Sequence, residues 1–274
     1  MDMSVSGNTP AAEIGVIGGS GFYELLADAE EVRVDTPYGP PSDALMLGTV
    51  EGRRVAFLPR HGRAHRIPPH RINYRANLWA MRSVGVRRIL APCAVGSLRR
   101  ELGPGTLVVP DQMVDRTSGR IQTYYDEGAV HVSFADPYCA DGREALLKAA
   151  AAAGIEAVDG GTMVVVEGPR FSTRAESQWF AAAGWSLVNM TGHPEAVLAR
   201  ELALGYAAVA LVTDLDAGVD AAESVAQEEV FKVFAENTQR LRRVVLGAVG
   251  MLPESDDPLA ARALDGMTPP FDLP

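Results

Sequence analysis

The 274-residue sequence contains few cysteines and no long apolar run. Its two cysteines, Cys93 and Cys139, lie far apart and outside any CxxC pattern, which argues against a disulfide framework or a thiolate metal site. No apolar segment approaches the roughly 20 residues that a membrane helix needs. Residues 1–12 lack the basic and apolar regions of an export signal and are predicted to be a disordered tail. These absences predict a soluble protein of the reducing cytoplasm, with no membrane partner.

Basic residues are also in the minority. Lys and Arg number 25 against 35 Asp and Glu, which gives a formal net charge of -10. This charge argues against nucleic acid as a partner, although a local basic loop can still hold a small anion. Hydrophobic residues make up 47% of the chain, which is enough for a packed core in one large domain.

Strand-like and helix-like segments alternate along the chain, as in a sheet covered by helices. Residues 44–50 and 54–58 flank Glu51-Gly52 as a hairpin, which favours a mixed sheet. We therefore predict a single α/β domain over residues 13–252, with a central mixed β-sheet flanked by helices, followed by a tail over 253–274. Residues 115–137 are predicted to be a long functional loop. Further strands are predicted at 13–17, 88–94, 106–109 and 186–190, and helices at 73–84, 143–153, 174–182, 194–204 and 227–247.

Two carboxylates end the most apolar run of the chain. The run begins at Tyr206 and closes with Asp214 and Asp216, separated by one residue. Residues two apart in a strand share a face, so both acids should project into the crevice where open α/β sheets bind ligands. There one acid, poorly solvated, can donate a proton while its ionised neighbour accepts from an amino group. The alternative is a solvated loop or a helix cap.

A glycine-rich turn and a basic segment suggest an anion site. The turn, residues 18–21, follows the first predicted strand, and its backbone N–H groups and Ser20 can cradle a phosphate. The rival interpretation, a dinucleotide-binding module, needs GxGxxG, and the third glycine is missing. Residues 58–75 carry five arginines and three histidines. Arg60 follows a strand, so its guanidinium could grip an oxyanion through two hydrogen bonds, with His61 as a second donor.

The histidines of this basic segment have a metal-binding alternative. His61, His65 and His70 are spaced by four and five residues, but prolines and a glycine interrupt the helix that such spacing requires. We expect no metal. Ala94 and Thr191 end two other predicted strands, so a phosphate site that they form with Ser20, Arg60 and His61 is chemically coherent.

Long motifs in fixed order carry a family resemblance; they are IGVIGGSGFYE, LPRHGRAHRIPPHRINYRANLWA, GSLRRELGPGTLVVPDQMVDRT, GTMVVVEGPRFSTRAES, NMTGHPEAVLARE and TDLDAG. Over residues 14 to about 246 the chain resembles the trimeric purine nucleoside phosphorylases, most closely their methylthioadenosine phosphorylase branch. The resemblance implies a homotrimer that uses phosphate, without a cofactor, to cleave methylthioadenosine to adenine and 5-methylthioribose 1-phosphate. Adenosine, 5′-deoxyadenosine and 6-oxopurine nucleosides are alternative substrates.

The resemblance also implies roles for single residues. Asp214 would be catalytic and protonate N7 of the leaving base, while Asp216 would accept from its 6-amino group. The phosphate would contact Ser20, Arg60, His61, Cys93, Ala94 and Thr191. The nucleoside would contact Phe171, Ser172, Met190, Asp214, Leu215, Asp216, Gln227 and, from a neighbouring subunit, His131.

Two positions depart from the pattern of the family. Cys93 stands where relatives often have Thr, which removes a hydroxyl from the phosphate site. Gln227 stands where the methylthio branch tends to have an apolar residue. An unpaired amide buried against a thioether would cost roughly 1–3 kcal/mol, so the amide either turns away to cap its own helix or meets a 5′-hydroxyl. We expect it to cap its helix, because the residues around the helix start are polar and both acids match the methylthio branch.

Overall fold

The computed structural model of the protein describes residues 12–19, 29–219 and 225–274. Over these residues the chain forms a single α/β domain with a mixed central sheet flanked by helices, so the predicted fold class is confirmed. The strands are β1 (Ile14–Gly18), β2 (Glu30–Val32), β3 (Leu45–Val50), β4 (Arg53–Pro59), β5 (Arg88–Ser97), β6 (Leu107–Val109), β7 (Gln112–Arg116), β8 (Ala157–Asp159), β9 (Thr162–Val166), β10 (Leu187–Asn189) and β11 (Gly205–Leu215). The helices are α1 (Tyr74–Ser83), α2 (Ala140–Ala152), α3 (Arg174–Ala182), α4 (Gly192–Glu201), α5 (Gln227–Met251) and α6 (Pro258–Ala261), with a short 3-10 helix at Pro69–Arg71.

Four parallel strands set the edge of the sheet at which the site forms. Strand β1 pairs in parallel with β4 and β5, and β11 runs parallel to β5 along its whole length. The C-terminal ends of these strands therefore lie at one edge. Strand β10 runs antiparallel to β5, so its end turns back towards the middle of that strand.

The sheet carries helices on both faces, because the buried strands present apolar side chains to each side. On one face Leu78 of α1 and Leu198 of α4 belong to the same apolar cluster. On the other, Leu146 of α2 and Val245 of α5 do so. All four side chains are fully buried. Burying a side chain of this size stabilises the fold by about 1.5–3 kcal/mol, which fixes the strand ends.

The predicted hairpin is present, and its turn has a clear cause. Strands β3 and β4 are antiparallel, and Glu51 and Gly52 between them have φ values of 48° and 76°. Positive φ at both positions is the geometry that matches the twist of a two-residue hairpin. The sequence interpretation missed the strands β2, β7, β8 and β9, most of which are short, and ended β5 three residues early at Ala94.

The predicted loop over residues 115–137 begins inside β7 and then has no regular structure. Its Tyr124 is buried and donates through its hydroxyl to the carbonyl of Arg75 at 2.7 Å. Residues 253–274 pack against the same region. Phe271 stacks on Tyr125 with ring centroids 5.5 Å apart, and Leu264 and Leu273 also pack against this cluster.

The chain ends differ in how much of them is described. Of the predicted N-terminal tail only Ala12 lies within the described residues, and it is fully buried. No helix in the described ranges is both long and apolar enough to cross a membrane.

Candidate active site

A cavity of about 1070 Å³ opens at the C-terminal ends of β1, β4, β5 and β11, with the first half of α5 as its far wall. Open α/β sheets bind their ligands at this edge. Most of the residues singled out from the sequence line it; they are Arg60, His61, Cys93, Ala94, Phe171, Ser172, Met190, Thr191, Asp214, Asp216 and Gln227.

Two predicted site residues, Leu215 and His131, do not line the cavity, and a third is not described by the structure. Ser20 lies outside the described residues. Leu215 was expected to contact the substrate, but it is absent from the cavity wall, because alternate side chains of a strand point to opposite faces. His131 is exposed and also away from the cavity of its own chain. A role for His131 would therefore require a second subunit.

A β-bulge places the acid pair in the cavity. Val212 pairs with Val95 and Asp214 with Gly96, so Thr213 is the extra residue on β11. Oδ1 of Asp214 lies 3.1 Å and Oδ1 of Asp216 3.5 Å from the point where a Cβ on Gly96 would stand. Gly96 therefore leaves room for two carboxylates on the same side of the strand.

The Asp214 carboxyl is poised to hold a proton. Burial raises the pKa of Asp214 to about 6, and the nearby Asp216 and Glu229 act in the same direction. The hydroxyl of Thr213 opposes this shift by donating to Oδ2 of Asp214 at 2.8 Å. The result is a carboxyl that titrates near neutral pH, as a general acid requires.

Asp216 is more enclosed than Asp214 and has a different partner. It is 3% exposed, and burial raises the pKa of Asp216 above its ordinary value. The Ser177 hydroxyl donates to its Oδ2, which favours the ionised form and opposes the effect of burial. Two neighbouring acids in unequal surroundings can take separate roles, one as proton donor and one as hydrogen-bond acceptor.

Arg60 lines the cavity at the end of β4, which β1 and β5 separate from β11 in the sheet, but its guanidinium is held by the protein. Its Nε and Nη2 donate to the two carboxylate oxygens of Glu195, each at 2.7 Å. Nη2 also donates to the carbonyl of Ile17 at 2.8 Å, and Nη1 donates to that of Pro92 at 3.3 Å. The two hydrogen bonds expected to grip an oxyanion thus go to Glu195. An anion would meet the remaining Nη1 proton and the edge of a neutralised ion pair.

His61 presents an acceptor rather than the expected donor. Its Nδ1 lies 2.8 Å from the carbonyl of Ile67, which can only accept, so Nδ1 carries the proton. Burial lowers the pKa of His61 to about 4, so the ring is neutral at pH 7 and Nε2 has a lone pair. Such a nitrogen pairs with a P–OH group of a protonated phosphate. Burial also raises the pKa of Cys93 to about 12, so this thiol stays protonated.

Asn189 organises the end of β10 and was missed from the sequence. Its Nδ2 donates to the carbonyl of Ala94 at 3.2 Å, and its Oδ1 accepts from the backbone N–H groups of Thr191 and Gly192 at 2.7 Å each. The Thr191 hydroxyl makes only a 3.4 Å contact to the same oxygen. It is therefore the group at this position that can turn to an anion.

An apolar wall faces the strand ends. It consists of Phe171 and Met190 together with Val230, Phe231 and Phe234 of α5. Gly168 allows Met190 to enter this wall, because Sδ of Met190 lies 2.6 Å from where a Cβ on Gly168 would stand. Such a surface suits a sugar face and a small apolar substituent.

Gln227 lies at the mouth of the cavity and does not cap α5 as expected. The helix begins after Ala226 and has no side-chain cap hydrogen bond. Gln227 is exposed and lines the cavity. Because it is solvated there, its amide escapes the desolvation cost that motivated the capping prediction.

Among the residues that the structure describes, no three His, Cys, Asp or Glu side chains form a group suited to a metal ion. His61 and His65 instead stack with ring centroids 4.4 Å apart.

A family model described as "Phosphorylase superfamily" matches residues 13–250. The chain belongs to this superfamily. It is 64% identical to a protein of Streptomyces coelicolor named purine nucleoside phosphorylase, over 97% of this chain and 99% of the relative. It is 57% identical to an S-methyl-5'-thioadenosine phosphorylase of Mycolicibacterium smegmatis, over 95% and 99% of the two chains.

Solved structures of the superfamily agree with the fold described above. A methylthioadenosine phosphorylase from an antarctic soil metagenomic library superposes with a TM-score of 0.88 at 41% identity, covering 94% of this chain and 93% of that one. The enzyme of Schistosoma mansoni, solved in complex with adenine, gives 0.87 at 38% identity over 92% and 96%. The sequence resemblance to nucleoside phosphorylases is therefore confirmed, and a dinucleotide-binding module is the weaker interpretation of the glycine turn.

Proposed function

We propose that the protein cleaves S-methyl-5′-thioadenosine with inorganic phosphate, giving adenine and 5-methylthioribose 1-phosphate. The observation that carries this proposal is that the acid pair, Asp214 and Asp216, lines the same cavity as Arg60, His61 and Thr191. Relatives named for this reaction, 43–57% identical to the chain, support it.

The base end of the cavity fits a leaving 6-aminopurine. As the glycosidic bond breaks, negative charge develops on the purine, and a protonated Asp214 can neutralise N7 as it leaves. Ionised Asp216 accepts from the 6-amino group. A 6-oxo group at this position would meet a carboxylate without a proton, so the pair favours adenine over hypoxanthine.

The anion end holds the nucleophile. Phosphate would lie between Arg60, the Thr191 hydroxyl and Nε2 of His61, with a P–OH group donating to that nitrogen. Its negative charge balances the positive charge that develops on the ribose, and one of its oxygens then bonds to C1′. No step requires a metal or an organic cofactor, and none is proposed.

The 5′ substituent would face the apolar residues of α5. Val230, Phe231 and Phe234 line the cavity and present no hydrogen-bonding group to a 5′-hydroxyl. A methylthio group gains by burial against such a surface.

A second candidate is a purine nucleoside phosphorylase that accepts a 5′-hydroxyl. Two observations favour it: the amide of Gln227 at the cavity mouth, and the Streptomyces coelicolor relative named for that activity. Adenosine, 5′-deoxyadenosine and inosine are the substrates that separate the candidates.

The deciding experiment is a nucleoside panel assayed with and without phosphate, in which the free base and the sugar product are both quantified. We expect methylthioadenosine to be the best substrate and turnover to require phosphate. Base release at the same rate in phosphate-free buffer would make the protein a hydrolase, and a preference for inosine would reverse the assignment of the base.

We further propose that the active form is a cytoplasmic homotrimer, in which His131 of one subunit completes the site of the next. The exposed position of His131 outside its own cavity supports this. Sedimentation combined with activity measurements tests it, since a fully active monomer contradicts the proposal.

A further inference from the structure

Ser177 is fully buried on α3, yet its hydroxyl is directed out of the helix to Oδ2 of Asp216. A serine in a helix commonly bonds back to a carbonyl of its own preceding turn. Here the hydroxyl is committed instead to a carboxylate 39 residues further along the chain. The contact links the first turn of α3 to the end of the strand that carries both acids.

The position of Ser177 is fixed from two sides. A capping box holds the start of α3: the Thr173 hydroxyl accepts from the N–H of Glu176 at 3.2 Å, and the Glu176 carboxylate accepts from the N–H of Thr173 at 2.7 Å. On the other side, Gly218 packs on the same turn, since a Cβ there would stand 3.2 Å from the carbonyl oxygen of Arg174. The serine is therefore rigidly oriented relative to Asp216.

The contact divides the two oxygens of the carboxylate. Oδ2 is occupied by the Ser177 hydroxyl, while Oδ1 lies on the Gly96 side, as does Oδ1 of Asp214. The Ser177 hydroxyl opposes protonation of Asp216 more strongly than the two other donors, the Ser172 hydroxyl and the N–H of Ala217, which lower the pKa of Asp216 in the same direction. Oδ1 then remains an acceptor towards the cavity, and an acceptor alone suits an amino group.

We propose that Ser177 is a positioning residue for purine selectivity: by donating to Oδ2 it keeps Asp216 an oriented, ionised acceptor, and so favours 6-aminopurines over 6-oxopurines. Without this donor the buried carboxyl gains a proton more readily and rotates more freely. A protonated Asp216 can donate to a 6-oxo group, so discrimination falls. This inference rests on the proposed function.

The test compares adenosine with inosine, which differ at C6, at saturating phosphate. Ser177→Ala should lower the ratio of their kcat/KM values about tenfold or more, because a hydrogen bond to a charged group is lost. Ser177→Cys keeps the size with a weaker donor and should give a ratio between those of wild type and Ser177→Ala. Ser83→Ala removes a helical hydroxyl on α1 that donates to the carbonyl of Trp79 and does not line the cavity, so it should leave the ratio unchanged.

The outcomes separate the inference from the proposed function. A wild type that cleaves adenosine preferentially, with the same preference in folded Ser177→Ala, overturns the inference alone. An equal loss for both nucleosides shows a purely structural role and also overturns it. If Ser177→Ala fails to fold, Ser177→Cys takes its place, and a wild-type ratio of the two kcat/KM values in that variant overturns the inference. A wild type without preference for 6-aminopurines overturns both proposals.

Discussion

Arg60 and Glu195 form a buried bidentate ion pair, with both N···O distances at 2.7 Å and side-chain exposures of 3% and 0%. Tyr206 adds a third bond by donating to Oε1 of Glu195 at 2.8 Å. The cation at the anion end is therefore already neutralised by the protein. Arg60 therefore offers an anion one N–H of its Nη1 group in a fixed direction, and little net positive charge.

The ion pair predicts that Arg60→Ala affects both folding and phosphate binding. Removing the arginine leaves Glu195 charged and unpaired, which should destabilise the fold by about 3–5 kcal/mol. The double variant Arg60→Met, Glu195→Leu should recover most of this loss while still raising the phosphate KM. Urea unfolding and phosphate titration measure the two effects. A single variant of wild-type stability would show that the pair is solvated in solution.

Asp214→Asn should reduce kcat for adenine nucleosides by about 100- to 10,000-fold, because an amide can hydrogen-bond to N7 but cannot deliver a proton. The control is Asp265→Asn at an exposed position of the C-terminal segment, where turnover should not change. Steady-state kinetics at saturating phosphate decides the matter. Turnover near that of wild type in Asp214→Asn would remove the acid from the mechanism.

The same substitution should stabilise the free protein above pH 6. Because burial raises the pKa of Asp214 from 3.8 to about 6, the folded state holds a proton that the unfolded chain has released. Stability is therefore lost as the pH rises from about 4 to about 6, and the whole loss is present above that range. Asp214→Asn cannot release this proton, so its free energy of unfolding should exceed that of wild type by roughly 1–3 kcal/mol at pH 8. Near pH 3.5 the two proteins should be equally stable. Unfolding curves at both pH values check the sign.

Gly96→Ala should separate the two acids without unfolding the domain. Its Cβ would stand 3.1 Å from Oδ1 of Asp214 and 3.4 Å from Cβ of Asp216, so the carboxylates must shift. We expect kcat/KM for adenine nucleosides to fall about tenfold or more. Gly103→Ala is the matched control, since a Cβ there meets nothing within 4 Å. Equal activity in the two variants would show that the acid pair tolerates displacement.

Gln227→Val tests the 5′ end of the cavity. The exposed amide has water as a partner, so its loss should change kcat/KM for methylthioadenosine by less than about threefold. If the amide instead binds a 5′-hydroxyl, the substitution should harm adenosine by about tenfold or more. Kinetics with both nucleosides distinguishes the cases. A wild type that prefers adenosine and loses that preference on mutation contradicts the methylthio assignment.

Much of the site could be predicted because its residues end strands. The apolar run before Asp214 predicts a buried strand that ends at the site. Ala94 and Thr191 were assigned to the same edge, and both line the cavity, although β5 continues to Ser97 and β10 runs antiparallel to it. The long motifs added Phe171 and Met190. These features are local in sequence, so a single chain displays them.

Other features depend on partners distant in sequence. The sequence around Arg60 does not indicate that its guanidinium binds a glutamate 135 residues away. Because of this pairing, the two hydrogen bonds that we expected an anion to accept go to the glutamate instead. The neutral state of His61 depends on its burial in the fold, and its tautomer depends on the hydrogen bond from Nδ1 to the carbonyl of Ile67. The apolar wall formed by α5 was also missed, because apolar residues at helical spacing equally predict a helix face packed in the core.

The bulge at Thr213 makes backbone register a determinant of chemistry. In an unbulged pairing Thr213 would stand opposite Gly96 and Asp214 opposite Ser97, so a hydroxyl would occupy the place of the proposed general acid. An insertion or deletion of one residue near the end of this strand can thus exchange the groups that face the base, while the neighbouring residue types stay the same. Purine preference can in this way diverge between relatives through changes of chain length, and a comparison of aligned residue identities alone would overlook it.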